Sequence, residues 1–213
     1  MKLETLLEMP DYIKKEMPVI NVSTVNFYSE DTINREFNII GKTKSENSEY
    51  WTIIKKNKSF AVIGELGVRE EDKRVGIKLV GQLDFKDKPD FAFDRLISIP
   101  ESVLQVDSVA VYSNKFKGMG FNLYLSLVKY GYIIVSDHTQ YEGGKKLWEK
   151  IARLSSAKEY SVFIVDNGEP RTDSDGNVIE YDGTNLKDDT IWGDVDSNIE
   201  NSRRYVLLVM KRK

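Results

Sequence analysis

The chain has 213 residues, 40% of them hydrophobic and 31% charged, with a net charge of −3. That much apolar material can bury a core in one domain, and the charge disfavours a generally basic nucleic-acid binder, so no nucleic-acid partner is expected. There is no cysteine and one histidine, His138, which excludes disulfides, thiolate metal sites, cysteine nucleophiles and a two-histidine metal centre.

No run approaches the roughly 18 apolar residues that span a membrane, and MKLETLLEMPDYIKKEM lacks the apolar stretch of a signal peptide. The expectation is a cytoplasmic protein without a membrane partner. Residues 1–17 read as two short helical pieces broken at Pro10, followed by a strand-like stretch at 19–28. YWTIIKK (50–56) and SFAVIGELGV (59–68) read as a hairpin turning at Asn57-Lys58. RVGIKLVGQLDFK (74–86) alternates as a strand, with a bulge expected at Gly81.

In the centre, VLQVDSVAVY (103–112) is β-branched and apolar, as a buried strand requires. A polar loop, SNKFKGMG (113–120), leads to a helical pattern in FNLYLSLVKYG (121–131) and a second strand, YIIVSD (132–137). GGKKLWEKIARL (143–154) carries Leu147, Ile151 and Leu154 on one helical face, and EYSVFIVD (159–166) is a third strand. This order forms a right-handed βαβ crossover. RRYVLLVMKRK (203–213) is a closing strand.

Charge is uneven. Between Asp166 and Glu200 stand eleven acids against Arg171 and Lys187, a local charge of −9 that leaves +6 to the remainder. Residues 167–202 therefore read as an acidic insertion between the last two strands: either a long solvated hairpin or a flexible attachment to a partner. The Asp173–Asn177 run lacks the full spacing of a calcium loop and reads as a turn.

Gly118 and Gly120 lie between a strand and a helix. Residues without Cβ let a ligand approach the backbone, and the helix N-terminus offers unpaired N–H groups and a positive dipole end, a combination suited to phosphate. A plain tight turn is the alternative. The Gly-Lys-Ser/Thr ending of a Walker loop is absent, as is the third glycine of a dinucleotide fingerprint.

In its wider context, VDSVAVYSNKFKGMGFNLYLSLVKYGYIIVSD resembles the core of the GNAT superfamily of acyl-CoA-dependent N-acyltransferases. In that family an (Arg/Gln)-x-x-Gly-x-(Gly/Ala) loop holds the coenzyme A pyrophosphate, and two neighbouring strands splay to admit the pantetheine arm. The resemblance covers roughly residues 50–166 and the last strand. Phe116-Lys117-Gly118-Met119-Gly120 fits the family's Tyr-Arg-Gly-x-Gly run, with Asn122 in place of the last glycine; a second register puts Lys115 at the head of the motif. SDHTQYEGGKKLWEKIA (136–152) is similar to acyltransferase-like proteins of bacteriophages, which carry an S-D-x-x-Q-T-x-G-G run and an Ile-Trp pair such as Ile191-Trp192.

The resemblance implies one α+β domain over residues 1–213. Its sheet would be GNAT-like, mixed but mostly antiparallel, of six or seven strands flanked by helices. A central pair would splay at 106–113 and 132–137. It implies acetyl-CoA as donor and an amine acceptor, on a protein lysine or N-terminus. Val109, Val111, Lys117, Gly118, Met119, Gly120 and Asn122 would bind the coenzyme. Asp107 would take the amine proton through water, and Tyr141 would return one to the thiolate. The family's acid is often a tyrosine in a Leu-Tyr-Glu-Lys run, which here reads Leu147-Trp148-Glu149-Lys150; an indole cannot act as that acid. The competing expectation is a catalytically inactive binding protein of the same fold, engaging a host or viral protein through the acidic insertion.

Overall fold

In the computed structural model the described residues are 27–45, 48–89, 102–111, 118–137, 142–155, 157, 159–187, 191 and 206–213. The two expected N-terminal helical pieces lie outside them, as does most of the strand-like stretch at 19–28. The chain enters through β1 (Phe27–Ser29), α1 (Glu30–Glu36) and β2 (Phe37–Ser45). Ser29 caps α1: its hydroxyl accepts from the Thr32 N–H at 3.3 Å, with Glu30 and Asp31 in the first turn and Arg35 in the last. β3 (Ser48–Lys55), β4 (Phe60–Val68) and β5 (Val75–Phe85) make two hairpins. The first turns where Asn57 Oδ1 accepts from the Ser59 N–H at 3.1 Å.

β6 (Val103–Val111), α2 (Met119–Tyr130), β7 (Ile133–Val135), α3 (Glu142–Ser155) and β8 (Tyr160–Asp166) follow, then β9 (Glu169–Pro170) and β10 (Val206–Arg212). The end of α2 is fixed by Gly131, whose left-handed φ of 111° lets two N–H groups turn back: Gly131 N donates to Val128 O and Tyr132 N to Leu127 O, each at 3.1 Å.

The strands build one ten-stranded sheet in the order β2-β3-β4-β5-β6-β7-β10-β8-β9, with β1 paired to β5. All strand pairs are antiparallel except β6 with β7. The α+β class and the mostly antiparallel sheet are as expected. The count of six or seven strands is too low, because β1, β2 and β9 are short or edge elements with a weak apolar signal. The expected irregularity near Gly81 is present: Ile63 pairs with Gly81 and Gly64 with Leu79, leaving Val80 as the extra residue of a bulge.

Side chains alternate between two cores. On one face Ile54, Ile63, Leu83, Leu208 and Met210 pack with Leu127 of α2 and with Trp148 and Ile151 of α3. On the other face Ile53, Val62, Ile77 and Leu79 pack under Ile33 of α1, and Val135, Val165, Leu207 and Val209 form a second cluster. Trp148 is 1% exposed and meets Tyr124 edge-on, with ring centroids 5.4 Å apart. It is a core residue.

After β8 the chain does not leave the body at once. Arg171 N donates to Ile164 O at 2.9 Å and Tyr181 N to Val162 O at 2.7 Å, so residues 169–171 and 180–181 lie on the β8 edge, and 172–178 between them turn back on themselves through the Thr172–Val178 bridge. Tyr181 is fully buried. Gly183, at φ +86°, abuts α3 so closely that an added Cβ would stand 2.7 Å from Arg153 Cγ. The described part of the acidic insertion is thus a hairpin with an exposed tip at 172–178, anchored to the body at Pro170, Tyr181 and Gly183.

The tightest backbone approach is at Gly76, where an added Cβ would lie 2.1 Å from the Tyr28 carbonyl oxygen. Gly76→Ala is expected to push β1 off β5 and cost about 1–3 kcal/mol in urea unfolding. An unchanged midpoint would show that β1 contributes nothing to stability.

Candidate functional site

The site begins where one β-ladder stops. β6 and β7 run parallel and pair through Val103–Ile133, Leu104–Ile134 and Gln105–Val135. Beyond Gln105, β6 continues to Val111 with β5 as its neighbour, from the Phe85–Val106 pair to the Gly81–Val111 pair. Beyond Val135 the other chain stays with β10: Ser136 N donates to Leu208 O at 2.8 Å, and Leu208 N donates to Ser136 Oγ at 3.0 Å. The two strands therefore follow different partners, and no ladder joins them past this point among the described residues.

Gln105 marks the fork. Its side chain is fully buried, and its Nε2 donates to the Ser136 carbonyl at 3.3 Å. A side chain here replaces the ladder bond that separation removes. Lys86 of the β5 end reaches Asp137 across the same point at 3.3 Å. Along Val106–Val111, every second N–H and C=O faces away from β5, toward the side that β7 has vacated. Those groups are the backbone donors and acceptors that the site can offer a ligand.

Asp107 has a specific place in this geometry. Phe85 pairs with Val106 and Asp84 with Ser108, so Asp107 is the extra residue of a β-bulge, and it is exposed. Val109 packs toward the α2 side, and Val111 next to it is 41% exposed. An added Cβ on Gly120 would rest 3.6 Å from Val111 Cγ2 and 3.7 Å from Leu147 Cδ2, so the start of α2 lies against the far end of β6.

Gly118 is the N-cap of α2, at φ 94° in the left-handed region, and no described atom lies within 4 Å of an added Cβ. No side chain caps the helix and its first turn holds no acid. Asn122 N donates to Gly118 O at 3.2 Å as the first intrahelical bond, so the N–H groups of Met119, Gly120 and Phe121 have no acceptor within the helix. Met119 is buried. Asn122 is half-buried; its Nδ2 meets Met119 Sδ at 3.6 Å, and its carbonyl accepts from Ser126 Oγ at 2.8 Å. That side chain sits behind the helix start.

The structure thus brings Val109, Val111, Gly118, Met119, Gly120 and Asn122 to the far end of β6, with Asp107 further down the strand. Lys115, Phe116, Lys117, His138 and Tyr141 lie outside the described residues. Sequence reasoning passed over three groups. Gln105 is one of three polar residues in its strand, with Asp107 and Ser108, and Ser136 simply follows the apolar run Ile133–Val135. Tyr124, wholly buried near Asp137, has its phenol pushed above the ordinary range by desolvation and, secondarily, by the Asp137 charge, so it stays protonated at neutral pH.

No family model, no curated protein and no solved structure matches the chain.

The fork makes a direct prediction about stability. Gln105→Leu leaves the Ser136 carbonyl without its amide donor, and Ser136→Ala removes the acceptor from Leu208 N–H. Each is expected to cost about 1–3 kcal/mol by urea unfolding, and the double variant less than the sum, because the two share one network. Strict additivity would show that the fork is not one unit.

Proposed function

We propose that the protein is an acyl-CoA-dependent N-acetyltransferase of GNAT-like fold, of the kind resembled in bacteriophage proteins. It would move an acetyl group from acetyl-CoA to an amine, on a protein among other carriers. The observation that carries this reading is the fork itself: β6 and β7 stop pairing, and β6 runs on toward a glycine-capped helix whose first N–H groups have no acceptor within the helix. A coenzyme needs both halves of that arrangement, a slot for a narrow chain and an anion site at its mouth.

In this reading the amides of Gly118, Met119 and Gly120 hold the pyrophosphate, with Lys117 adding charge and Asn122 supporting the turn. The pantetheine arm lies along Val109 and Val111. The amine nitrogen attacks the thioester carbon, the N–C bond forms, the C–S bond breaks, and the electron pair leaves on sulfur. A backbone amide of the Val109–Val111 stretch stabilises the negative charge that develops on oxygen. Asp107 accepts the nitrogen's proton through water, and Tyr141 gives one to the thiolate.

One observation favours a second reading, an inactive binding protein that uses the acidic insertion, residues 167–202, on a host or viral partner. Trp148, in the place of the family's acidic tyrosine, is buried in the core and cannot donate a proton there.

Calorimetric titration with acetyl-CoA separates the two. The first reading expects saturable binding that Gly118→Asp weakens by at least about tenfold, some 1.4 kcal/mol. The new carboxylate would face the phosphates from a residue already left-handed, while far-UV circular dichroism stays unchanged. Absence of heat at millimolar coenzyme would overturn the acyltransfer reading and leave the second.

A further inference from the structure

The opposite face of the sheet carries a polar patch that the coenzyme site does not use. Gln82 and Asp84 of β5 alternate with Leu83 and Phe85, and Ser108 and Ala110 of β6 alternate with Val109, all three of these apolar residues lying on the α2 side. Gln82, Asp84, Ser108 and Ala110 therefore share the other face. There Asp84 is held at both oxygens: Gln82 Nε2 donates to Oδ1 at 2.6 Å and Ser108 Oγ donates to Oδ2 at 2.7 Å.

Both donors are neutral, so they fix the carboxylate without cancelling its charge. Among the described residues no lysine or arginine pairs with Asp84, whereas Asp137 is paired with Lys86 and Asp166 with Arg171. The side chain is only half-buried. On this face it lies between two apolar clusters, Ile77 and Leu79 under α1 and Val135 with Val209 beyond the fork. The Asp107 bulge adjoins it directly through the Asp84–Ser108 pair. Its partner across the ladder is Phe60, over whose ring Lys55 Nζ stands 5.2 Å from the centroid, so the nearest strand neighbour presents a cation without pairing to the carboxylate. A partly exposed carboxylate held by two neutral donors, with no described cation paired to it, suits an ammonium group.

We propose that Asp84 is a specificity-determining residue that receives the ammonium group of a cationic amine acceptor, entering from the face opposite α2. Its role in acetyl transfer rests on the reading of the preceding section; its affinity for an ammonium group does not. Ser108 and Gln82 are positioning residues: they hold the carboxylate so that little side-chain freedom is lost on binding.

Cadaverine, a minimal primary diamine, tests this without coenzyme, by following the backbone amide resonances of the isotope-labelled full chain. Saturable shifts at Ser108 and Ala110 are expected, weakened at least about tenfold by Asp84→Asn and by a smaller factor by Ser108→Ala, which keeps the charge. No saturable shift at those amides, or equal affinity in Asp84→Asn, would overturn the proposal. Should Asp84→Asn fail to fold, Ser108→Ala decides: unchanged affinity would overturn it. Titrating the same proteins with acetyl-CoA keeps the two readings apart. Coenzyme binding with no diamine site sinks this inference alone. A diamine site with no coenzyme binding sinks the transferase reading alone.

Discussion

One exchange of partners organises this molecule. At Gln105 and Val135 two parallel strands stop pairing with each other; one continues with β5 and the other turns to β10. Backbone polar groups are costly to bury unpaired, so a sheet does not come apart in its middle without substitutes. Here the substitutes are the buried Gln105 amide and the Ser136 hydroxyl, with the Lys86–Asp137 ion pair beside them. Beyond this point no described strand pairs with the side of β6 that faces away from β5.

That side gains meaning from what stands at its far end. α2 starts on a left-handed glycine, has no side-chain cap and packs its Gly120 against Val111. A methyl group at Gly118 would be strained by the backbone rather than blocked by a neighbour. Among the described residues, space beside Gly118, a positive φ and N–H groups without an intrahelical acceptor coincide, which is what an anion site built from main chain requires. The bulge at Asp107 lies between the fork and this spot, and Asp84 on the reverse face is tied to it through Ser108. In the transferase reading, donor and acceptor thus meet across a single strand.

Much of the frame was legible because its signals are local. The hairpin at Asn57-Lys58, the alternation through β5, and the helical spacing in α2 and α3 each follow from nearest-neighbour periodicity. α1 and β2 were not anticipated. EDTINRE buries only Ile33, and β2, with exposed Asn38, Lys42 and Lys44, presents one apolar face at a sheet edge. β9 and the segment after it are held by main-chain bonds to β8, which leave no side-chain pattern to read. At the site, the two glycines were visible as residues lacking Cβ. Gln105 was not, because its importance arises only when β10 claims Ser136, more than 70 residues before β10 in sequence. Asp84 and Ser108 were hidden for the same reason: their contact depends on the register of two strands separated by a loop.

In the transferase reading the coenzyme lies between β6 and β7, with the start of α2 at its pyrophosphate. A crystal structure grown with acetyl-CoA decides this. Pyrophosphate density is expected within hydrogen-bonding distance of the Gly118, Met119 and Gly120 amides, and the pantetheine chain alongside Val109 and Val111. Coenzyme density anywhere else on the molecule, with that gap filled by protein, would contradict it.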